Sequence, residues 1–335
     1  MNRLPLIAMT LGDVAGVGPE VVVRALAAHT ERSYRPLIVG DIDIVRRAAQ
    51  LVGCTLPLAP VECPQYLEVA IPVWNPSSVQ FGAELPAGNS AFCGEAAYQW
   101  LIAATRAALA NEIDAIVTAP LSKAALHMAG HYYPGHTEIL AEQCGVREFA
   151  MMLHLPQASA VRGPWGLSVA HVTLHTSIAS VPGRLSQRNI AETIALVGQF
   201  LKRLGCANPR IGVCALNPHA GEHGLFGDEE ARLIAPAVQQ SQNAGWTAHG
   251  PLPADTLFLR AVGGEFDGVV AMYHDQGHIA LKLIGFRSAV NITLGLPIIR
   301  TSPSHGTAFD IAWQGRAEAD GMLQAIDVAT RLTGI

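Results

Sequence analysis

Short, continuously apolar runs alternate along this chain with longer helical stretches. LIAMTL (6–11), RPLIVG (35–40), DAIVTAP (114–120), LSVAHVTL (167–174), RIGVCALN (210–217) and DGVVAMYH (267–274) each end in polar, turn-forming residues. Runs of this kind suit strands buried on both faces of a parallel sheet. The segments between them predict helices over 19–29, 41–52, 94–110, 121–129, 188–204 and 228–244. An alternating α/β chain places its ligand sites where strands end, and that is where the polar residues gather. The stretch 54–91 is Pro-rich and less regular, and reads as a surface excursion of strand and loop. No internal repeat, low-complexity segment or linker is visible.

The 335 residues exceed one comfortable core, so two domains are expected. A net charge of -5 leaves no basic footprint for nucleic acid. Lys and Arg never cluster beyond a pair, Arg46-Arg47 or Lys202-Arg203, which excludes an electrostatic membrane anchor. Half the residues are apolar, yet no stretch approaches the roughly 20 apolar residues of a spanning helix. Buried strands account for the excess. MNRLPLIAMTLGD is too short, and too soon interrupted by Asp13, to read as a signal peptide. Cys54, Cys63, Cys93, Cys144, Cys206 and Cys214 are scattered without a CxxC pair, so free thiols in a cytoplasmic compartment are expected.

Three histidines follow or end apolar runs: His175 in HVTLHTS, His219 in ALNPHAGE and His274 in AMYHDQGH. Three neutral imidazoles on one divalent ion, with positions left open, make a Lewis-acid site. Gaps of 44 and 55 residues lie outside any local metal motif, so the alternative is hydrogen-bonded histidines at strand ends.

Other segments carry polar groups at comparable places. GDVAGVGPE sets Gly12, Gly16 and Gly18 between a strand and a helix; its GxxxGxG spacing is not a dinucleotide fingerprint. A tight structural turn and a ligand-binding one are both open there. Pro134-Gly135-His136-Thr137-Glu138 suits a phosphate or carboxylate, or else a simple helix cap. Lys282, Asn291 and Arg300 flank an apolar strand near Asp275 and resemble a substrate clamp, Arg being able to grip an anion bidentately. His305, Gly306, Thr307 and Asp310 lie in a turn leading to a helix.

The opening IAMTLGDVAGVGPEVVVRAL and the closing SHGTAFDIAWQGRAEAD resemble the two ends of the isocitrate/isopropylmalate dehydrogenase superfamily. Between them, YPGHTE, LNPHAGE, PLPADTLF, MYHDQGH and VNITLGLPIIRTS resemble the 4-hydroxythreonine-4-phosphate dehydrogenase family of vitamin B6 (pyridoxine) biosynthesis. The likeness runs nearly end to end and is poorest over 54–91. It implies two α/β/α domains with an active-site cleft between them: a dinucleotide-binding domain over 1–125 plus 266–335, and a middle substrate, metal and dimerisation domain over 126–265. It makes His175, His219 and His274 metal ligands in a homodimer that shares its site. His136, Thr137, Lys282, Asn291 and Arg300 become substrate contacts. Gly295, Leu296, Pro297, His305, Gly306, Thr307 and Asp310 fall where the superfamily holds NAD or NADP, which explains the missing fingerprint.

The implied reaction is oxidation of a β-hydroxy acid followed by loss of carbon dioxide. One divalent ion, zinc, cobalt, magnesium or manganese, would assist both steps, with Lys282 or Asp255 relaying the proton. HDQGHI, APLSKAALHMAGHYYPGHTE and AFDIAW look closer to side-branch relatives acting on D-threonate or D-erythronate 4-phosphate. The dihydrodiol branch, which oxidises and decarboxylates the cis-dihydrodiol of terephthalate, is an alternative; the PGHTE segment favours phosphate. A phosphate acyltransferase-like enzyme and a non-catalytic binder of metal or small anions are the rival readings.

Overall fold

Buried apolar runs become strands, and the computed structural model describes residues 3–29, 31–82, 85, 88–158 and 160–334. The chain divides into two compact units, Met1–Arg147 with Leu296–Ile335, and Glu148–Gly295.

The first unit contains β1 (Leu6–Thr10), α1 (Gly18–Ala28), β2 (Arg35–Val39), α2 (Ile42–Leu51), β3 (Leu58–Val61), β4 (Ile71–Trp74), α3 (Ala91–Leu109), β5 (Ala115–Thr118), α4 (Lys123–Met128) and α5 (His136–Gln143). The second contains β6 (Ala150–Leu155), β7 (Leu167–His171), α6 (Val181–Arg184), α7 (Gln187–Arg203), β8 (Arg210–Cys214), α8 (Ala235–Asn243), β9 (Thr247–Leu252), α9 (Ala254–Val262), β10 (Gly268–Ala271), α10 (His274–Gly285) and β11 (Val290–Leu294). The chain then returns to the first unit with β12 (Arg300–Pro303) and α11 (Asp320–Thr333).

In the first unit the strand order is β3-β4-β2-β1-β5-β12. Every pair is parallel, with Ala8 standing between Leu37 and Ile116. β1 and β5 are buried at every position, because helices lie over the sheet: α3 packs on β1 and β5, and α11 on β5 and β12. That double cover is why these strands are apolar throughout rather than alternating. The Pro-rich stretch supplies β3 and β4 at this sheet's edge; its residues 83, 84, 86 and 87 lie outside the described ones.

The second unit is ordered β11-β6-β7-β10-β8-β9. β11, β6 and β7 are antiparallel, and β7, β10, β8 and β9 parallel. Its core joins Leu153 and Leu155 on β6, Val169 on β7, Val269 on β10, Phe266 and Leu281. Burying a side chain such as Leu281 contributes about 1.5–3 kcal/mol. Ser186 and Asn189 form a reciprocal capping box that fixes the start of α7.

The division differs from the bounds read in the sequence. Residues 126–147 group with the first unit, since α5 packs on α3. Residues 266–295 group with the second, because β10 and β11 hydrogen-bond into its sheet. Among the described residues, no helix is long and apolar enough to cross a membrane, and all six cysteines are free.

Candidate functional site

In the first unit, the loops after β1, β5 and β12 are locked together. Gly12 has φ +64°, and a Cβ there would lie 2.2 Å from the Pro120 carbonyl oxygen, so only glycine fits the approach. Asp13 N–H donates to that same oxygen at 2.9 Å, and Val17 N–H to the Thr307 oxygen at 2.9 Å. Glu20, fully buried on α1, accepts from Trp313 N–H and Gly315 N–H, while Trp313 Nε1 donates to Val14 O. The GDVAGVGPE turn therefore clamps the 305–315 segment. Asp13 is itself buried, its Oδ2 has no hydrogen-bond partner, and burial raises its carboxyl pKa to about 6.

Arg300 lies on β12 at 2 % exposure, donating from Nε and Nη2 to Thr118 Oγ1 at the end of β5. Burial pulls its pKa down to about 9 against the opposing Glu138 carboxylate. His136 and Thr137 open α5, whose free N–H groups favour anions. Burial, then the Arg300 charge, hold the His136 imidazole well below the usual pKa, so it is neutral beside a guanidinium. Three of the five expected substrate contacts, His136, Thr137 and Arg300, thus belong to one unit. Together they set a buried guanidinium, a neutral imidazole and a hydroxyl around the start of α5, a group of donors suited to a phosphate or carboxylate.

The expected cofactor segments Gly295–Pro297 and 305–310 sit at the start and end of β12's flanking loops. His305 Nδ1 donates to the Gly306 carbonyl at 2.9 Å, which leaves a lone pair on Nε2. That atom is buried without a partner. An unsatisfied acceptor in a loop fits the hydroxyl or amino group of a nucleotide.

In the second unit, His274 is the first residue of α10 and His175 lies four residues beyond β7. Their rings are 5.5 Å apart, lining a pocket of about 120 Å³ with Tyr273, Asp275 and Ile178. Asp275 Oδ1 accepts from His274 Nδ1 at 2.6 Å, which fixes the tautomer that leaves the lone pair on Nε2, as a metal ligand requires. Gln276 ties the start of α10 to β8, its Nε2 donating to Ala215 O at 2.8 Å. Two imidazoles and a supporting carboxylate fit a divalent ion.

His219 occupies a different setting. Residues 219–223 all have positive φ, between 42° and 81°, forming a left-handed turn. Each non-glycine residue there costs about 1–2 kcal/mol. Glu230 offsets this strain: buried, it accepts from Leu216 N–H, Asn217 N–H and Asn217 Nδ2. The His219 ring lies against Phe226 and its Nδ1 is 3.4 Å from Glu222. Among the described residues, no group of three or more His, Cys, Asp and Glu is gathered as a metal site. One chain brings together His175 and His274 and holds His219 apart.

Lys282 follows His274 and His278 at four-residue steps along α10. Burial, then the neighbouring His171 and His274, and last the Lys282 charge drive the His278 pKa down to about 2. Asn291, on β11, has a buried Oδ1 without a partner. Asp255 opens α9 and is exposed. Sequence reasoning passed over Glu20, Thr118, Glu230 and His171 as functional supports. The available signal for the two glutamates was a carboxylate flanked by apolar helix residues, in GPEVVV and EEARLI.

The family model for "Pyridoxal phosphate biosynthetic protein PdxA" matches residues 32–329. A D-threonate 4-phosphate dehydrogenase from Cupriavidus necator is 45% identical, covering 98% of this chain and 99% of its own length. A 4-hydroxythreonine-4-phosphate dehydrogenase from Geobacter metallireducens is 44% identical, covering 100% and 97%. The crystal structure of a 4-hydroxythreonine-4-phosphate dehydrogenase from Klebsiella pneumoniae superimposes with a TM-score of 0.83 at 40% identity, over 98% and 99% of the two chains. A terephthalate 1,2-cis-dihydrodiol dehydrogenase from Burkholderia xenovorans is more distant, at 0.69 and 34% over 98% of each. The clamped turns, the donors around the start of α5 and the paired imidazoles all stand in a chain that belongs to the PdxA family of dehydrogenases.

Proposed function

We propose that this chain oxidises and decarboxylates a 4-phosphorylated β-hydroxy acid, using NAD or NADP and a divalent ion. The observation that carries the reading is Arg300: a buried guanidinium, braced by Thr118 and flanked by the start of α5, is an anion grip. A dianionic phosphate gains more there than a monoanionic carboxylate, which ranks the phosphorylated acids above the terephthalate dihydrodiol.

In this reading His175, His219 and His274 hold the ion, and 295–297 with 305–310 hold the dinucleotide. The dinucleotide supplies a hydride acceptor and the ion supplies Lewis acidity toward a substrate oxygen. Arg300 and Thr137 bind the substrate's anionic end and fix its orientation. Neutral His136 adds a hydrogen bond without a second full charge. Lys282 Nζ takes the substrate's hydroxyl proton in its neutral amine form, after the ammonium has given up its own proton; the position of Lys282 on the stripe that carries His274 favours it over exposed Asp255. Asn291, with its unsatisfied Oδ1, accepts from a substrate hydroxyl.

The working form is a homodimer. Large apolar residues stand exposed on the segments that carry the proposed ligands: Ile178 in the pocket lined by His175 and His274, Leu225 at the end of the turn that holds His219, and Leu283 on α10, at 72 %, 73 % and 84 % exposure. A second copy covering this surface supplies the third imidazole that one chain does not gather.

The test is reduced-cofactor formation with 4-phosphohydroxy-L-threonine, D-threonate 4-phosphate, D-erythronate 4-phosphate and the terephthalate cis-dihydrodiol, each with added ion and with chelator. Chelator-sensitive turnover of one phosphorylated acid is expected. Turnover of the dihydrodiol alone would overturn the phosphate assignment, and silence across the set would overturn the activity.

A further inference from the structure

Behind His274 stand two histidines that the proposed chemistry does not use. His278, one turn further along α10, stacks on the His274 ring with centroids 3.7 Å apart and planes 15° from parallel. On its other side, His278 Nδ1 is 3.1 Å from His171 Nε2, and His171 Nδ1 is 3.2 Å from the Met151 carbonyl oxygen. His171 ends β7 at 1 % exposure, and Met151 lies on β6.

The direction of this chain follows from donor chemistry alone. A carbonyl oxygen only accepts, so His171 Nδ1 carries the proton. Nitrogen-to-nitrogen contact between two imidazoles requires one lone pair and one N–H, and the same contact leaves His171 Nε2 as the lone pair. His278 Nδ1 must then be the donor. The order is fixed: His278 gives to His171, and His171 gives to the sheet. Gly277 makes the approach possible, because a Cβ at that position would lie 2.5 Å from His171 Nε2 and 2.7 Å from Val169 Cγ1.

We propose that His278 is a positioning residue, anchored to the sheet through His171 and Met151, whose ring face fixes the rotation of the His274 imidazole. With Asp275 fixing the tautomer at Nδ1, His274 is constrained both in plane and in protonation pattern before any ion arrives. The inference rests on the reading of His274 as a metal ligand. Supports of this kind typically carry about 10–100-fold in metal affinity.

The full-length protein, stripped with chelator, is titrated with Co²⁺ by calorimetry and by its visible absorption. His278→Leu is expected to bind Co²⁺ about 10–100-fold more weakly. His278→Asn keeps a donor toward His171 but lacks the ring face, so it restores the melting temperature more than the affinity. His175→Ala serves as the reference for a lost ligand. Equal Co²⁺ affinity in wild type and His278→Leu would overturn this inference alone; a wild type that binds no divalent ion would overturn the ligand assignment as well. Nitrogen NMR of the unsubstituted protein gives a second reading that no misfolded variant can spoil. His171 and His278 should both carry the proton on Nδ1, and protonation of His171 at Nε2 instead would reverse the chain and refute it.

Discussion

Glu20 and Trp313 are joined by a hydrogen bond across 293 residues of sequence, from the Trp313 main-chain N–H to Glu20 Oε1. With the Gly315 N–H on the other oxygen at 2.9 Å, a single carboxylate holds the C-terminal loop onto α1. Replacing Glu20 by Ala strands two half-buried donors, each costing at most about 1–3 kcal/mol. The melting temperature should fall, and the KM for the dinucleotide should rise more than the KM for the hydroxy acid. Glu20→Gln, which keeps one acceptor, should lie between. Equal effects on both KM values would separate this clamp from cofactor binding.

Arg300 should not tolerate lysine. The guanidinium reaches Thr118 Oγ1 through two nitrogens of one planar fork, whereas an ammonium offers one charged point. Loss of a charged hydrogen bond of about 1.5–3 kcal/mol corresponds to roughly a 10–100-fold rise in substrate KM. Inhibition by inorganic phosphate should weaken in parallel. A variant with unchanged phosphate inhibition would place the anion elsewhere.

Asp13 makes stability depend on pH in an unusual sense. Burial raises its folded pKa from 3.8 to about 6, so the folded state binds the proton more tightly than the unfolded chain. The stability that this proton provides is complete below pH 3.8 and is lost as pH rises through about 6. The shift corresponds to about 3 kcal/mol, to order of magnitude. Asp13→Asn should therefore melt higher than wild type at pH 7 to 8, with the advantage shrinking toward pH 4. A constant difference across that range would mean that Asp13 does not titrate in it.

Leu283 is the sharpest probe of self-association. It is 84 % exposed on α10, with Ile279 on the same helix and Phe286 just past its end also exposed. A charge there costs little in an isolated chain, whose Leu283 already faces water. Leu283→Glu should leave the circular dichroism unchanged, shift sedimentation from dimer to monomer, and abolish turnover. A fully active monomer would refute the shared site.

Much of the fold was legible because burial on both faces writes itself as apolar runs. The run from Asp114 becomes β5, that from Arg210 becomes β8, and that from Asp267 becomes β10. Helix expectations at 19–29, 41–52 and 188–204 match α1, α2 and α7 to within one residue at each end. Strand direction was not legible, since a run such as AMMLHL reads alike in a parallel or antiparallel neighbour, and β6 is antiparallel on both sides. The long helix expected over 228–244 runs without a break from Glu230 to Asn243, its first turn widened to a π-turn over Glu230–Ile234, where the Glu230 carboxylate turns back toward Asn217. Of the site, sequence motifs named the chemistry-bearing residues, but not their supports. Thr118, Glu230 and His171 acquire their roles only from neighbours far away in the chain, and no spacing rule announces such partners.

The left-handed turn at 219–223 limits how this loop can change. Handedness cannot be altered by degrees: an inserted or deleted residue would rotate the His219 imidazole to another side of the turn, with no intermediate that preserves its direction. Branched side chains at 220 or 222 would clash with their own backbone, while glycine there would lower the free energy of the loop and loosen its aim. Substitutions that make this segment more comfortable are therefore the ones that should make it less useful. Comfort and display of the imidazole pull the same five residues in opposite directions.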